Sequence, residues 1–385
     1  MIFPRKQKPR VKKQFANENR LFFLIKDSIN YYYLIYIKKT QKRDWGGEGA
    51  SIPKSSQQGT AMDSLYWLFP VSGVKTYVFI PPVVAFVVSF FTSMGGVSGA
   101  FLLLPFQVSF LNFTTPSVSA TNFVYNIVAV PSGVYRYLKE GRMSWPLTWV
   151  VIFGTLPGVF IGYYLRVLYL PDPRVFKLFV GSVLLYLGLR LLYEMTSRSQ
   201  KGQNELKALE DKFNHHNLAL KEKKTGPRPS GLPAEAVVKT IGVSLSRAEY
   251  EFWGERFSFS TPAMFFLAFA VGIIGGAYGI GGGAIIAPFC VTVFHLPVYS
   301  VAGAALLGNF LTSIAGVFFY SVIPAKAGMS TAPDWLLGFL FGAGGFFGMY
   351  LGARAQRFVP QKFIKLILGL IITFLAVGYI AQYFF

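Results

Sequence analysis

The sequence is poor in the residues from which most active sites are built. It has one cysteine, Cys290, and three histidines among 385 residues. A single cysteine excludes an intramolecular disulfide and a cysteine metal cluster. A nucleophile–histidine–acid set or a zinc site likewise has no residues from which to form in the apolar segments. We therefore expect neither an enzyme nor a bound cofactor or metal, and we expect Cys290 to be a buried packing residue.

Charge is also scarce. Charged residues make up 14% of the chain and hydrophobic residues 53%, whereas an average soluble domain is about 25% charged. The apolar residues gather in long runs, such as 147–165 and 363–380, and runs of about 20 residues match the hydrocarbon thickness of a bilayer. These features predict an all-α polytopic protein of the cell membrane.

The net charge of +20 comes from loops and tails. No basic face exists outside them, so nucleic acid is not an expected partner, and the basic loops are expected to set the membrane orientation. Residues 1–61 form a basic extension before Met62, and we interpret them as an addition from an early start codon. Residues 62–195 and 262–385 are two membrane blocks, joined by a polar stretch at 196–261.

The polar stretch between the blocks has two parts. Residues 203–224 are charged and helix-prone, and residues 237–260 alternate with period two and predict a small β meander. A docking or regulatory role and a plain connector both remain open for this stretch.

The two membrane blocks resemble each other. When Gly96 is aligned with Gly279, eleven of 42 consecutive positions are identical. The shared residues include three glycines, one proline and one asparagine, which hydrophobicity alone does not explain. Both blocks also carry GxxxGxxxG, at Gly154, Gly158 and Gly162 and at Gly344, Gly348 and Gly352. Internal repeats with a binding site between them are a common plan for secondary transporters.

Each block contains the same predicted parts. A glycine-broken apolar segment comes first, at 77–111 and at 263–295. Three spans follow in each block, at 117–135, 147–169 and 175–195 and at 300–322, 335–353 and 363–384. The balance of basic and acidic residues in the loops reverses between the blocks, which favours inverted repeats. A broken segment that re-enters or crosses twice fits inversion, whereas one that crosses once would make the repeats parallel.

The segment 275–283 packs six glycines into nine residues. It lacks the Gly-Lys-Ser/Thr end of a phosphate loop and the βαβ setting of a dinucleotide site. Glycines four apart favour close helix packing, but three consecutive glycines also predict a break that is buried or lines a cavity. Half-helices would then follow at 100–111 and 284–295, and a helix N-terminus inside the membrane favours an anion.

Polar residues at membrane depth are almost all neutral. No acidic residue lies in a predicted span core, so carboxylate-centred cation or proton sites are not visible. Arg166 and Arg190 lie toward span ends, where snorkelling to the surface is expected. Asn126 and Asn309 occupy equivalent positions in the two blocks, and both anion binding and interhelical hydrogen bonding remain open for them.

Two motifs now carry a resemblance. GxGGGxxxxPF at 279–289 and its degenerate copy GVSGAFLLLPF at 96–106 resemble the TauE/SafE family of membrane proteins, and the resemblance covers about 62–385. It implies an anion permease with sulfite and organosulfonates as the substrate class. The first copy departs from the pattern, because Ser98 and Ala100 replace two glycines. The two half-sites therefore cannot be identical.

The sequence thus predicts a secondary transporter for a small anion, with sulfite or an organosulfonate as the favoured substrate. The alternatives are a passive anion channel and a membrane scaffold without transport. The lipid bilayer and the anion are the expected partners, and the sequence indicates neither a coupling ion nor whether a homo-oligomer forms. The predicted site consists of Gly96, Ser98, Gly99, Asn122, Asn126, Gly279, Gly281, Gly282, Gly283, Asn309 and Thr312.

Overall fold

The structure is a computed structural model. It describes residues 65–94, 98–139, 141–193, 237–252, 254–325, 328–355 and 361–384. The predicted extension at 1–61, the predicted charged helix at 203–224 and the candidate site residue Gly96 lie outside these residues. The described residues belong to one compact unit that begins at Gly59.

The first half contains a β-hairpin followed by helices. Strands β1 (Tyr66–Leu68) and β2 (Lys75–Tyr77) pair antiparallel. The helices are α1 (Ile80–Met94), α2 (Ala100–Ser109), α3 (Ser117–Ala129), α4 (Pro131–Lys139), α5 (Trp145–Tyr164) and α6 (Pro173–Tyr193). A π-helical turn, Leu165–Tyr169, continues α5.

The second half also begins with strands and continues with helices. Strands β3 (Lys239–Val243), β4 (Arg247–Phe252) and β5 (Glu255–Ser260) form an antiparallel sheet in the order β3-β4-β5. The helices are α7 (Thr261–Tyr278), α8 (Gly283–Thr292), α9 (Val298–Val322), α10 (Trp335–Ala355) and α11 (Gln361–Phe384).

Six helical segments of the described chain are long and apolar enough to cross a membrane. They are Trp145–Tyr169, Pro173–Tyr193, Thr261–Tyr278, Ser300–Val322, Trp335–Gly352 and Phe363–Phe384. This confirms a mostly helical polytopic membrane protein. The predicted span 117–135 is instead divided into α3 and α4 at Pro131, because proline cannot donate the backbone hydrogen bond that a continuous helix needs there.

The two glycine ladders pack helix against helix, as their spacing predicted. Along α5, a Cβ on Gly154, Gly158 or Gly162 would overlap the carbonyl oxygens of Phe265, Phe269 and Ile273 of α7. Along α10, a Cβ on Gly344, Gly348 or Gly352 would overlap the carbonyl oxygens of Pro82, Phe86 and Phe90 of α1. The contacts advance in the same chain direction on both partners, so α5 runs parallel to α7 and α10 runs parallel to α1.

Other contacts fix the directions of the remaining long helices. Gly181 of α6 meets Tyr379 of α11, whereas Gly188 meets Thr373, so these helices are antiparallel. The α3–α4 segment and α9 are also antiparallel, because Phe123 lies against Gly316 and Tyr137 against Gly303. Finally, Gly338 of α10 contacts Val124 and Gly342 contacts Val128, which makes α10 parallel to α3.

Candidate functional site

Two short helices, α2 and α8, follow the two glycine-rich breaks. Each has ten residues and carries one internal proline, Pro105 or Pro288. They begin at Ala100 and Gly283, close to the starts that the sequence predicted for half-helices. Their first residues are buried, since Ala100 and Gly283 are both covered. Both helices therefore start inside the protein.

The far ends of α2 and α8 have the same geometry. Asn112 and His295 adopt left-handed backbone conformations, with φ of 54° and 53°. After them, the Phe113 N–H donates to the Gln107 carbonyl at 2.9 Å, and the Leu296 N–H donates to the Cys290 carbonyl at 3.1 Å. Each of these bonds reaches one residue farther back than the bond that closes a Schellman motif, and both helices end in this way.

The N-termini of α2 and α8 lack side-chain caps. Gly99 and Gly282 occupy the cap positions, and neither has a side chain that could act as a cap. The Gly282 N–H points at the Thr312 hydroxyl at 3.4 Å, and the Ala100 N–H points at the Ser98 hydroxyl at 3.3 Å. The structure thus brings Thr312 and Ser98 to the positive ends of these helices.

The end of α7 is held by side chains from two neighbouring helices. Its last backbone carbonyls have no helical partner, and four side chains donate to this region. They are Tyr320 to Gly276 at 3.0 Å, Ser119 to Ala277 at 2.9 Å, Asn122 to Gly279 at 3.1 Å and Asn126 to Ile280 at 3.1 Å. Ser119 and Tyr320 were not among the predicted residues.

Asn122 connects the two breaks directly. Its amide nitrogen donates to the Ala100 carbonyl at 3.2 Å and to the Gly279 carbonyl at 3.1 Å. Its amide oxygen accepts from Gln107 at 3.4 Å. A primary amide has two N–H donors, and these two carbonyls use both of them. Direct anion binding by Asn122 remains a prediction. In the structure, its amide joins the two breaks.

Asn126 and Asn309 retain unused hydrogen-bonding capacity. Both are buried, and the amide oxygen of each has no partner in the described structure. The Asn309 amide lies against Gly281, where any Cβ would overlap its oxygen. The unpartnered atoms are amide oxygens, which accept hydrogen bonds and cannot donate to an oxyanion, so anion binding by Asn126 and Asn309 remains a prediction.

The glycines of the second break are in close contact with their surroundings. A Cβ at Gly279 would overlap the Ser119 backbone, one at Gly282 would overlap the Thr155 side chain, and one at Gly283 would overlap the Ala305 carbonyl oxygen. In the first break, a Cβ at Gly99 would overlap the Tyr125 hydroxyl. The described glycines of both breaks are therefore buried, and they allow backbone and side chains to approach.

The last helix of each half donates to the half-helix of the other half. The Tyr379 hydroxyl of α11 lies 3.0 Å from the Pro105 carbonyl of α2, and the Arg190 guanidinium of α6 donates to the Pro288 carbonyl of α8. Arg190 also stacks on Phe289, with 5.2 Å between the guanidinium carbon and the ring centroid. The expectation that Arg190 snorkels is wrong, because its side chain turns inward to α8.

Arg166 is likewise not a snorkelling residue. It is fully buried at 0% exposure and donates to the carbonyls of Leu170 and Thr114. An arginine near the end of an apolar run normally reaches the surface, so periodicity and position gave no signal of this burial. The prediction that Cys290 is a buried packing residue is confirmed, since its thiol is buried beside Met264.

Comparison with known proteins agrees with this architecture. The family model described as "Sulfite exporter TauE/SafE" matches residues 82–379. A curated relative, "Probable membrane transporter protein YunE" of Bacillus subtilis, is 23% identical over 290 residues, which are 73% of this chain and 89% of that protein. No solved structure shows significant similarity. Within the described residues, no cluster of His, Cys, Asp or Glu could hold a metal ion. The chain is a multi-pass cell-membrane protein that belongs to the TauE/SafE family of membrane transporters.

Proposed function

We propose that this protein is a secondary transporter for a small sulfur oxyanion, either sulfite or an organosulfonate. The observation that carries the proposal is the pair of helix N-termini at Ala100 and Gly283, which have glycine at the cap position and both start inside the protein. Such N-termini attract anions through their N–H groups and the helix dipole. The matching family is described by sulfite export, which agrees with this choice of substrate class.

The two halves would be inverted repeats. The offset that aligns Gly96 with Gly279 also aligns Pro82, Phe86 and Phe90 with Phe265, Phe269 and Ile273. These residues are the partners of the two glycine ladders, so each half makes the same contacts with the other. Equivalent helices near a two-fold axis in the membrane plane must run antiparallel, and the pairs α6/α11 and α3/α9 do so. Parallel repeats would give parallel pairs.

The broken segments would re-enter the membrane. Helices α1 and α3 both run parallel to α10. The chain must therefore turn back between them, and α2 is the element that lies there. The same reasoning gives α8 the opposite direction to α2. The two half-helix N-termini would then approach the middle of the membrane from opposite faces, with the anion between them and Asn126 and Asn309 beside it.

Charge at the breaks favours an anion over a cation. Acidic residues are absent from the described parts of α1 to α4 and of α7 to α9. Asp334 is buried at the start of α10, but its carboxylate accepts from the Ser72 hydroxyl at 2.8 Å and from the Leu337 N–H at 3.2 Å. It therefore caps a helix and holds the β1–β2 hairpin, and it is not available for the site.

Transport would require the closed breaks to open alternately to each side. The α5–α7 and α1–α10 interfaces each join one half to the other through glycine ladders. Rocking of one repeat against the other would change these contacts and expose the N-termini in turn. The closed state described here would be an intermediate in that cycle.

Flux in proteoliposomes tests the proposal. Purified protein is reconstituted with a proton or sodium gradient, and the uptake of sulfite, thiosulfate, sulfoacetate and taurine is measured. Movement of one of these anions against its own gradient supports a secondary transporter. Passive flux alone would support the alternative of an anion channel. No flux of any of the four with intact protein would support a scaffold and contradict the proposal.

A further inference from the structure

The end of α5 contains a rare backbone feature with a buried charge on it. The π-helical turn Leu165–Tyr169 carries Arg166, whose side chain is inaccessible to solvent. Short π-helical segments are uncommon and are often found at functional sites. This turn is at the opposite end of α5 from Trp145, far along the chain from the two glycine-rich breaks.

Arg166 has only neutral partners. Its guanidinium donates to the Thr114 carbonyl at 2.9 Å and to the Leu170 carbonyl, and it stacks 3.6 Å from the centre of the Phe176 ring. Its Nε has no partner in the described structure, and no ion pair of the described residues includes it. A buried charge without an opposite charge is costly. The guanidinium therefore leaves a positive potential that an anion would satisfy.

Thr114, and Pro171 after Leu170, line a surface cavity. Its volume is about 340 Å³, and it is lined by Thr114, Thr115, Pro116, Pro171, Pro173, Gly328, Met329 and Ser330. Arg166 donates to the backbone carbonyl of Thr114, and Thr114 lines the cavity. It also donates to the carbonyl of Leu170, which precedes the lining residue Pro171. Its charge therefore lies just behind the wall. Three hydroxyl side chains line the cavity and no acidic residue does; the nearby Asp172 is exposed and accepts from the Arg174 N–H at 2.6 Å.

We propose that this cavity, which we name the Arg166 vestibule, is a second anion site through which the transported oxyanion passes on its way to the first break. The hydroxyls of Thr114, Thr115 and Ser330 contact the anion, and Arg166 supplies the attraction from behind the wall. Residues 114–116 join α2 to α3, the helices that carry the first break and Asn122. This inference rests on the proposed function for the identity of the anion.

Reagent selectivity tests the potential in the vestibule without any need for transport. Thr115 is exposed, so Thr115→Cys in a Cys290→Ala background offers one thiol at the vestibule. The labelling rates of two thiosulfonate reagents are compared, one bearing a sulfonate and one a quaternary ammonium. Because a buried charge raises the local concentration of counter-ions by about tenfold or more, we expect Arg166→Gln to lower the sulfonate-to-ammonium rate ratio by about that factor. Sulfoacetate in solution should slow labelling only when Arg166 is present.

Matched variants separate the vestibule from general surface charge. Arg174→Gln removes the same charge from an exposed residue beside Pro173, where solvent screens it, and should change the rate ratio little. Arg166→Lys keeps the charge and should retain most of the selectivity. In flux measurements, Arg166→Gln should raise KM about tenfold with kcat nearly unchanged, because the potential collects anions before the transport step.

The outcomes distinguish this inference from the proposed function. Equal rate ratios in the parent and in Arg166→Gln would overturn the vestibule while leaving transport at the breaks intact. An equal loss in Arg174→Gln would also overturn it, because surface charge would then be the cause. If the parent selects the sulfonate reagent but moves none of the four anions, the proposed function fails and the vestibule stands as an anion-binding site.

Discussion

The half-helices that follow the two breaks end alike, but their first residues are packed by different contacts. In the first break, the residue equivalent to Ala305 is Asn122, and its amide donates to the Ala100 carbonyl at 3.2 Å. In the second break, Gly283 itself meets the Ala305 carbonyl oxygen with no room for a Cβ. The first pair uses a side-chain hydrogen bond where the second uses direct backbone contact. Residues 100 and 122 thus differ as a pair from residues 283 and 305.

On the proposed function, the two breaks would therefore contact an anion differently. The second break offers backbone N–H groups and the Asn309 amide, and its glycines carry no side-chain donors. The first adds the Ser98 hydroxyl at the start of α2, where the second has Gly281. On the proposed function, an anion passing from one break to the other would exchange one set of contacts for another. Variants that make the breaks more alike should show which contacts matter.

The largest effect is expected from Gly283→Ala. Its Cβ would overlap the Ala305 carbonyl oxygen, and overpacking of this kind typically costs about 1–3 kcal/mol and occasionally more. We expect a clear fall in the melting temperature of purified protein and loss of flux. The matched change Ala100→Gly should cost only about 0.5–1 kcal/mol, from chain entropy. Equal melting temperatures for the two variants would show that the breaks close in the same way.

The glycine ladders should respond as a matched pair. Gly158→Ala would overlap the Phe269 carbonyl oxygen, and Gly348→Ala would overlap the Phe86 carbonyl oxygen. Each should destabilise the protein by about 1–3 kcal/mol through separation of the helices, to a similar extent in thermal unfolding. Gly378→Ala is the control, since no atom lies within 4 Å of its Cβ position. A large difference between the two ladder variants would argue against equivalent interfaces.

Removal of the Asn122 amide should have a smaller but measurable effect. Asn122→Ala leaves the Ala100 and Gly279 carbonyls without this donor, and an unsatisfied buried polar group costs about 1–3 kcal/mol before water or neighbours compensate. Asn126→Ala removes a donor from one carbonyl, that of Ile280, and should destabilise less. If Asn122→Ala left the melting temperature unchanged but raised KM, Asn122 would be an anion ligand and not a cross-link.

Ser98→Ala should give the smallest change. One neutral hydrogen bond is worth about 0.5–1.5 kcal/mol, so we expect KM to rise by about two- to tenfold with the melting temperature nearly constant. Ser98→Gly reproduces the residue of the second break and should behave alike. Unchanged KM in both variants would remove the hydroxyl from the site.

Much of the fold follows from the sequence because membrane helices must satisfy their own backbone. The predicted spans 335–353 and 363–384 match Trp335–Ala355 and Gln361–Phe384 closely, and the glycine cluster correctly marks the end of α7 at Tyr278. Long apolar runs and consecutive glycines act locally, so local patterns reveal them. Pro131 was also a local signal, and its division of the predicted span 117–135 could have been foreseen.

The contacts of the candidate site could not be predicted in the same way. Asn122 was expected near the anion, but which carbonyls its amide reaches depends on how α2, α3 and α7 meet. Tyr320 and Ser119 lie far apart in the sequence and donate to adjacent carbonyls of α7. Arg166 is buried because residues 114 and 170 offer it carbonyls. Each of these outcomes depends on tertiary packing, which periodicity does not encode.

Site-directed labelling of the two half-helix ends tests the central claim most directly. Asn112 and His295 are exposed, occupy equivalent positions and share a left-handed conformation. Each is replaced by cysteine in a Cys290→Ala background and treated in sealed, oriented vesicles with a membrane-impermeant thiol reagent. Inverted, re-entrant halves predict that Asn112→Cys and His295→Cys react from opposite faces. Reaction of both from the same face would contradict the inverted arrangement and the site between the two N-termini.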